Sequence, residues 1–235
     1  MQIEDLDVEA IAFDAGIQVV YEDMTGCEAT LVGVGNQAIA TINPSKYLGR
    51  VRFSIAHELG HWKLHRGRSF RCRVDQVENN FASAGELEKE ADTFASHLLM
   101  PRRMFNDAIQ PFGRPNFKQL GDVAAAFQTS LTATALRLVG VDTLPVIIAC
   151  YTQKGLRWHS GAKHVPRRWY LKQHVDEDSF AYDLLFSGKE CRNLGKQSAD
   201  TWFTNDDAGR YEVLEQCVPI RGDEVLVLLY LIDTK

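Results

Sequence analysis

Two histidines four residues apart constrain this 235-residue chain more than any other feature of its sequence. His57, Glu58 and His61 form the pattern H-E-x-x-H, and apolar residues at helical spacing, with no proline from Val51 to Arg66, favour a helix around them. On a helix, this spacing places both imidazoles on one face, about one turn apart. Two imidazoles so placed can ligate one Zn²⁺ while the intervening glutamate faces a water molecule. The motif therefore predicts a zinc-dependent hydrolase.

A third protein ligand is needed, and a second helical segment downstream offers candidates. Residues 86–101 carry an apolar stripe at helical spacing that ends at Pro101. We predict that Glu88 is the third ligand and that Asp92 accepts a hydrogen bond from the second ring nitrogen of a ligand histidine. Glu90 competes with Glu88, because it lies about 200° around the helix and both cannot face the metal. A solvated acidic face is the alternative for all three.

The two motifs, from Arg52 to His65 and from Glu88 to Pro101, together resemble the ImmA/IrrE family of metallo-endopeptidases. Asp92 stands where many relatives have Asn, and either side chain can accept a hydrogen bond. The resemblance implies one zinc ion per chain, bound by His57, His61 and Glu88.

Glu58 is the predicted catalytic residue. As general base it takes a proton from the attacking water, and it then passes this proton to the leaving amine. A further donor is expected to stabilise the oxyanion, and Tyr47 and His65 are the candidates. His65 lies about 80° from the ligand face, which favours a structural role for it.

The family resemblance implies a regulatory substrate. We expect a zinc-dependent endopeptidase that cleaves a partner protein, most simply a helix-turn-helix transcriptional repressor, in a stress or mobile-element response. The alternative is a regulatory binding or sensor protein whose zinc site is gated or inactive and which displaces its partner without cleavage. An intact Glu58 argues against an inactive site.

Net charge, apolar runs and cysteine content limit the partners and the cellular compartment that we expect for this chain. The formal net charge of −5 makes direct nucleic-acid binding an unfavoured function. No run of eighteen apolar residues predicts a membrane span, and the acidic first residues are unlike a signal peptide, so we expect a cytoplasmic protein. The five cysteines are odd in number and form no C-x-x-C pair, which predicts reduced thiols.

The N-terminal region alternates between helix and strand patterns. We predict a helix over Val8–Ala15, a strand over Gln18–Tyr21, and a hairpin formed by 29–34 and 37–42 around Gly35-Asn36. The segment from Ala38 to Pro44 is predicted either as an edge strand that adds an extended peptide by β-augmentation or as a core strand. Residues 67–85 are predicted to be a long loop, either a lid or disordered.

Two further segments complete the predicted α+β fold. Asn116 to Gly140 predicts two helices with a tight turn, and this segment resembles the helix-turn-helix-like part that follows the peptidase core in the family. Only Thr134 and Arg137 are polar in its second helix from Ala133 to Leu138, so packing is favoured over DNA contact. Strand patterns over 145–151, 156–160, 211–218 and 224–232 predict an antiparallel sheet. The predicted divisions are a zincin-like metallopeptidase core with a small antiparallel sheet (1–115), the helical segment (116–143), and a C-terminal α+β sensor or recognition module (144–235).

Overall fold

The computed structural model describes residues 6–45, 47–66, 70–72 and 82–232, with the side chains of all of these except 70–72 and 82–84. The fold is α+β, as predicted. The chain divides into two compact units, one made of Met1–Asp107 with Ala124–Ser130 and the other of Ala108–Val123 with Leu131–Lys235. Two of the three divisions between the units, after Val123 and after Ser130, fall within the segment that was expected to be helix-turn-helix-like.

The first unit begins with a helix, α1 (Val8–Asp14), and a small sheet of four described strands, β1 (Ile17–Tyr21), β2 (Ala29–Val34), β3 (Gln37–Ile42) and β4 (Phe70–Cys72). Strand β2 is antiparallel to β3 and to β4, whereas β1 is parallel to β3. The predicted hairpin is confirmed, with Val34 paired to Gln37 and with Gly35 at φ 61, a value that glycine adopts without strain.

Strand β3 lies between two other strands, so of the two predicted alternatives the core strand is correct and the edge strand is excluded. The sheet order is β1-β3-β2-β4, and Ala38 of β3 is paired with Ile17 on one side and with Gly33 on the other. Both edges of β3 are therefore occupied by neighbouring strands. The local sequence does not indicate the parallel pairing with β1, because that pairing depends on how the chain returns to the sheet.

Two helices follow the hairpin in the first unit, and a third begins there and ends at Ile109, in the second unit. Helix α2 packs against β2 and β3, and its buried Ile55, Ala56 and Leu59 join the core formed by the inner face of the sheet. Beside them, Trp62 lies against β2 where a Cβ on Gly33 would stand 2.3 Å from the indole ring. Glycine at that position therefore sets how closely α2 approaches the sheet. The helices are α2 (Leu48–Leu64), α3 (Ala82–Leu99) and α4 (Arg102–Ile109).

The predicted loop over 67–85 contains parts of two elements. Strand β4 and the beginning of α3 lie within it, and the remainder of the loop, 67–69 and 73–81, lies outside the described residues. The helix that carries the H-E-x-x-H motif ends at Leu64. This is two residues before Arg66, where the proline-free stretch of the sequence analysis ends.

Both helices predicted between Asn116 and Gly140 are present, as α5 (Phe117–Phe127) and α6 (Leu131–Val141). The two polar residues of the expected recognition segment are buried, with Thr134 at 0% and Arg137 at 4% exposure. Buried side chains cannot contact base edges, so the geometry of α6 favours packing.

The second unit contains an antiparallel sheet of order β6-β5-β9-β8-β7. The central strands β5 and β9 are almost entirely buried, since α6 packs on β5 and β6 and an aromatic cluster including Trp169, Trp202 and Phe203 packs with alternate residues of β5 and β9. The predicted strands correspond to β5, β6, β8 and β9, whereas α7 and β7 were not predicted. The elements are β5 (Val146–Thr152), β6 (Gly155–Gly161), α7 (Phe180–Ser187), β7 (Gly195–Ser198), β8 (Glu212–Pro219) and β9 (Val225–Ile232).

Two further properties of the described residues concern membrane spans and cysteines. Among them, no helix is both long enough and apolar enough to cross a membrane. The four cysteines with described side chains, Cys27, Cys150, Cys191 and Cys217, form no disulfide bond with one another.

Candidate metal centre

Helix α2 places the two motif histidines on one buried face. His57 is 7% exposed and His61 is 0% exposed, and their ring centroids lie 4.6 Å apart. The two Nε2 atoms point toward a common position, at 3.0 Å from each other. This convergence follows from the i,i+4 spacing on a regular helix.

Close packing of α3 on α2 brings a carboxylate to the same position. At Gly60, between the motif histidines, a Cβ would lie 3.1 Å from the Cα of Ala91. Because glycine and alanine meet there, the helix backbones can approach closely, and Glu88 one turn before Ala91 reaches both imidazoles. Its Oε2 is 3.1 Å from His57 Nε2, and its Oε1 is 3.5 Å from His61 Nε2.

The Glu88 carboxylate is held in its ionised form. Burial by itself would raise its pKa, but hydrogen bonds and Coulombic attraction from His57 and His61 outweigh that effect and lower the pKa to about 2. The carboxylate is therefore negatively charged at neutral pH, which is the state that binds a cation.

The three side chains fit a divalent metal ion. The ligand atoms of His57, His61 and Glu88 all lie within 4.8 Å of one another. In tetrahedral zinc sites with ligand bonds near 2.0–2.1 Å, neighbouring ligand atoms are about 3.3 Å apart. The separations of 3.0, 3.1 and 3.5 Å in this structure bracket that value. Two imidazoles and one carboxylate are also a donor set found in catalytic zinc sites.

The other predicted site residues occupy different places around this group. Glu58, next to His57 on α2, is 0% exposed. Asp92 on α3 lies outside the three-residue group, with its Oδ1 2.9 Å from the Nδ1 of His57. Tyr47, one of the two candidates for the oxyanion donor, lies at the N-cap of α2 and is 57% exposed.

His65, a candidate oxyanion donor, and Glu90, the competitor of Glu88, contact each other on the Nδ1 side of His61. The Nδ1 of His65 is 3.1 Å from the Nδ1 of His61, and its Nε2 is 2.8 Å from the Oε2 of Glu90. Glu90 thus contacts His65 and is not among the three residues grouped around the metal position. A signal for this arrangement exists in the sequence, because His65 continues the i,i+4 series of His57 and His61 on the same helix.

The chain was also compared with known proteins. The family model Peptidase_M78, described as an IrrE N-terminal-like domain, matches residues 12–139. Among solved structures, one described as a Mycobacterium tuberculosis transcriptional regulator is similar, with a TM-score of 0.64 and 17% sequence identity, over 97% of this chain and 71% of that chain. At that identity the likeness shows the fold alone. A comparison with curated protein sequences gives no match. The family model spans more than half of the chain and covers both helices of the metal centre, so the chain belongs to the peptidase family of the IrrE N-terminal-like domain.

Proposed function

We propose that this chain is a zinc-dependent endopeptidase that cleaves a regulatory partner protein. The observation that carries the proposal is the convergence of His57, His61 and Glu88 at one position beside a buried Glu58. Membership of a peptidase family indicates peptide hydrolysis, and these residues are the ones such chemistry needs.

In the proposed site, His57, His61 and Glu88 hold one zinc ion per chain. Zinc bound there would supply a Lewis acid that polarises the scissile carbonyl and makes water more acidic. Asp92 accepts a hydrogen bond from the Nδ1–H of His57, which leaves the lone pair of Nε2 directed at the metal position. Glu88 contributes the negative charge that favours a divalent cation.

Glu58 acts as the general base and then as the general acid. Its position in the motif directs its carboxylate toward the substrate water when His57 and His61 face the metal. The carboxylate accepts a proton from that water and donates it to the nitrogen of the departing amine. Its complete burial keeps bulk water from competing for this transfer.

The partner in this proposal is a helix-turn-helix transcriptional repressor, cleaved in the cytoplasm during a stress or mobile-element response. The family resemblance supports a regulatory role, and the description of the similar solved structure as a transcriptional regulator is consistent with it. We expect recognition of a protein rather than of nucleic acid, because the formal net charge is −5.

The deciding experiment incubates a candidate repressor with the wild-type chain and with the Glu58→Gln variant, and detects cleavage by mass spectrometry. The variant should keep its zinc and its affinity for the partner but lose about 10²- to 10⁴-fold in cleavage rate, because only the proton transfer is removed. Undiminished cleavage by the variant would contradict the mechanism. Release of an intact partner by the wild type would support the alternative, a sensor that displaces its partner without cleavage.

We further propose the division into a catalytic core (1–115), a helical segment (116–143) and a C-terminal recognition module (144–235). Deletion from about Pro145 should leave zinc bound but reduce selectivity between the repressor and an unstructured peptide. The deletion also removes Gln216 and Tyr230, which bond to the backbone at Phe117 and Pro115. An aggregated truncation would therefore mean that the segment completes the fold, whereas undiminished selectivity would refute a recognition role.

A further inference from the structure

A line of contacts extends from the metal position to the surface of α3. It begins at His61, which is fully buried, and continues through His65, which is 8% exposed. It ends at the carboxylate of Glu90, whose side chain is 61% exposed. The two contacts in this line, of 3.1 and 2.8 Å, are both within hydrogen-bond distance.

Only one arrangement of protons allows His61 to ligate a metal ion while both hydrogen bonds of this line are made. A histidine that ligates through Nε2 must carry its proton on Nδ1. The Nδ1–H of His61 then donates to the Nδ1 of His65, which must accept. His65 consequently carries its own proton on Nε2, and that N–H donates to Glu90, which accepts as a carboxylate.

His57 offers a direct comparison within the same site. Its Nδ1 lies 2.9 Å from Asp92, so one carboxylate on α3 suffices to fix its tautomer. His61 lies one turn further along α2, and its Nδ1 is connected to a carboxylate of α3 through a second imidazole, that of His65. Both ligand histidines are thus connected to an acidic residue of α3, one directly and one through His65.

We propose that His65 and Glu90 are positioning residues, which hold His61 in the tautomer and ring orientation that present Nε2 to the metal. This inference rests on the proposed zinc site. It assigns His65 a role other than oxyanion stabilisation, and it assigns Glu90 a role other than direct ligation. Groups that orient a ligand histidine in this way typically change metal affinity by about 10- to 100-fold.

The test measures zinc affinity of the full chain by competition with a chromophoric chelator. His65→Phe retains an aromatic ring but removes both ring nitrogens, and it should weaken zinc binding by about 10- to 100-fold. His65→Gln can still accept from the Nδ1–H of His61 and should recover part of that loss. Glu86→Gln is the control, since it removes the same charge as Glu90→Gln from an exposed position on α3 and should leave the affinity within about two-fold of wild type.

A double-substitution cycle separates positioning from general structural damage. Glu90 acts through His65, so Glu90→Gln should weaken zinc binding in the wild type and have no further effect in the His65→Phe background. In the zinc-loaded wild type, NMR should also detect a coupling across the hydrogen bond between Nδ1 of His61 and Nδ1 of His65. Affinity within two-fold of wild type for His65→Phe, or equal effects of Glu90→Gln in both backgrounds, would overturn the proposal.

The same measurements distinguish failure of this inference from failure of the proposed function. If His57→Ala binds zinc as the wild type does, the metal is not held at the proposed site and the function itself is wrong. If His57→Ala abolishes binding while His65→Phe does not weaken it, the zinc site is correct and only the positioning role fails. Circular dichroism of each variant identifies any that does not fold. If His65→Phe does not fold, the zinc affinity of His65→Gln is measured in its place.

Discussion

Glu58 in the first unit and Glu215 in the second are both fully buried, but their surroundings differ. Glu215 accepts hydrogen bonds from the backbone N–H of Ala181, at the beginning of α7, and from the indole N–H of Trp202. Glu58 lies beside His57 in the helix whose imidazoles converge with Glu88. One glutamate is surrounded by hydrogen-bond donors of its own unit, and the other stands next to three side chains that could hold a metal ion.

This contrast shows that burial of a charged residue does not by itself indicate a functional site. The side-chain oxygens of Glu215 accept hydrogen bonds from the first turn of a helix and from a core tryptophan, which is a structural role. In the metal centre, two imidazole nitrogens and a carboxylate present electron pairs to the same position, and a cation satisfies such a group best. The nature of the neighbouring groups, rather than exposure, separates the two regions.

The largest expected effect concerns the third ligand. Glu88→Gln should weaken zinc binding by roughly two to three orders of magnitude. The reason is that the free energy of zinc binding at four-ligand sites is about 10–16 kcal/mol, and one anionic ligand contributes about a quarter of that. Metal analysis after dialysis and chelator competition measures the change, with Glu86→Gln as the matched control. An equal loss in both variants would mean that total charge, rather than ligation by Glu88, controls affinity.

The second prediction tests the structural role of Glu215 through pH. Burial raises the pKa of Glu215 to about 7, against the opposing hydrogen bonds from Trp202, Ala181 and Phe180. The folded state therefore holds this proton more tightly than the unfolded state. The resulting stability is fully present below pH of about 4.5 and is lost as the pH rises through about 7, a change of about 3 kcal/mol.

Urea unfolding of the metal-free protein at pH 4 and pH 8 measures this change. Glu215→Gln cannot ionise, so the difference between wild type and variant in the free energy of unfolding should itself depend on pH. Glu212→Gln, on the same strand and paired with Lys196 at the surface, serves as the control and should show little such dependence. A wild-type and Glu215→Gln pair with parallel pH profiles would remove the basis for treating Glu215 as a buried titrating group.

The smallest expected effect compares two helical glycines. Gly121 in α5 has space for a Cβ, so Gly121→Ala should raise the free energy of unfolding by about 1 kcal/mol through helix propensity. Gly60→Ala should gain less, because its Cβ would crowd Ala91, and it should weaken zinc binding as α3 moves away. Equal stabilisation by both substitutions with unchanged zinc affinity would show that the close approach at Gly60 does not position Glu88.

The elements that were predicted correctly are those with a strong local pattern. The hairpin around Gly35-Asn36 follows from turn chemistry between two strand patterns, and α2 follows from periodic apolar residues. Strand β7 has the sequence Gly-Lys-Gln-Ser, which has no such pattern, and it forms because it pairs with β8. Helix α7 was missed although Ser179 and Gly188 mark its ends, because its eight residues are too few for periodicity to be distinct.

The sequence by itself determined which residues could bind a metal on α2, because the helical repeat fixes the faces of His57 and His61 whatever the rest of the fold does. It also restricted the candidates for a third ligand to the acidic residues of α3. Only the tertiary structure decided that Glu88 reaches the metal position while Glu90 meets His65, since that choice depends on how α3 is rotated against α2 at the Gly60–Ala91 contact. Side chains two residues apart on one helix face different neighbours, and packing between helices determines which neighbour each one meets.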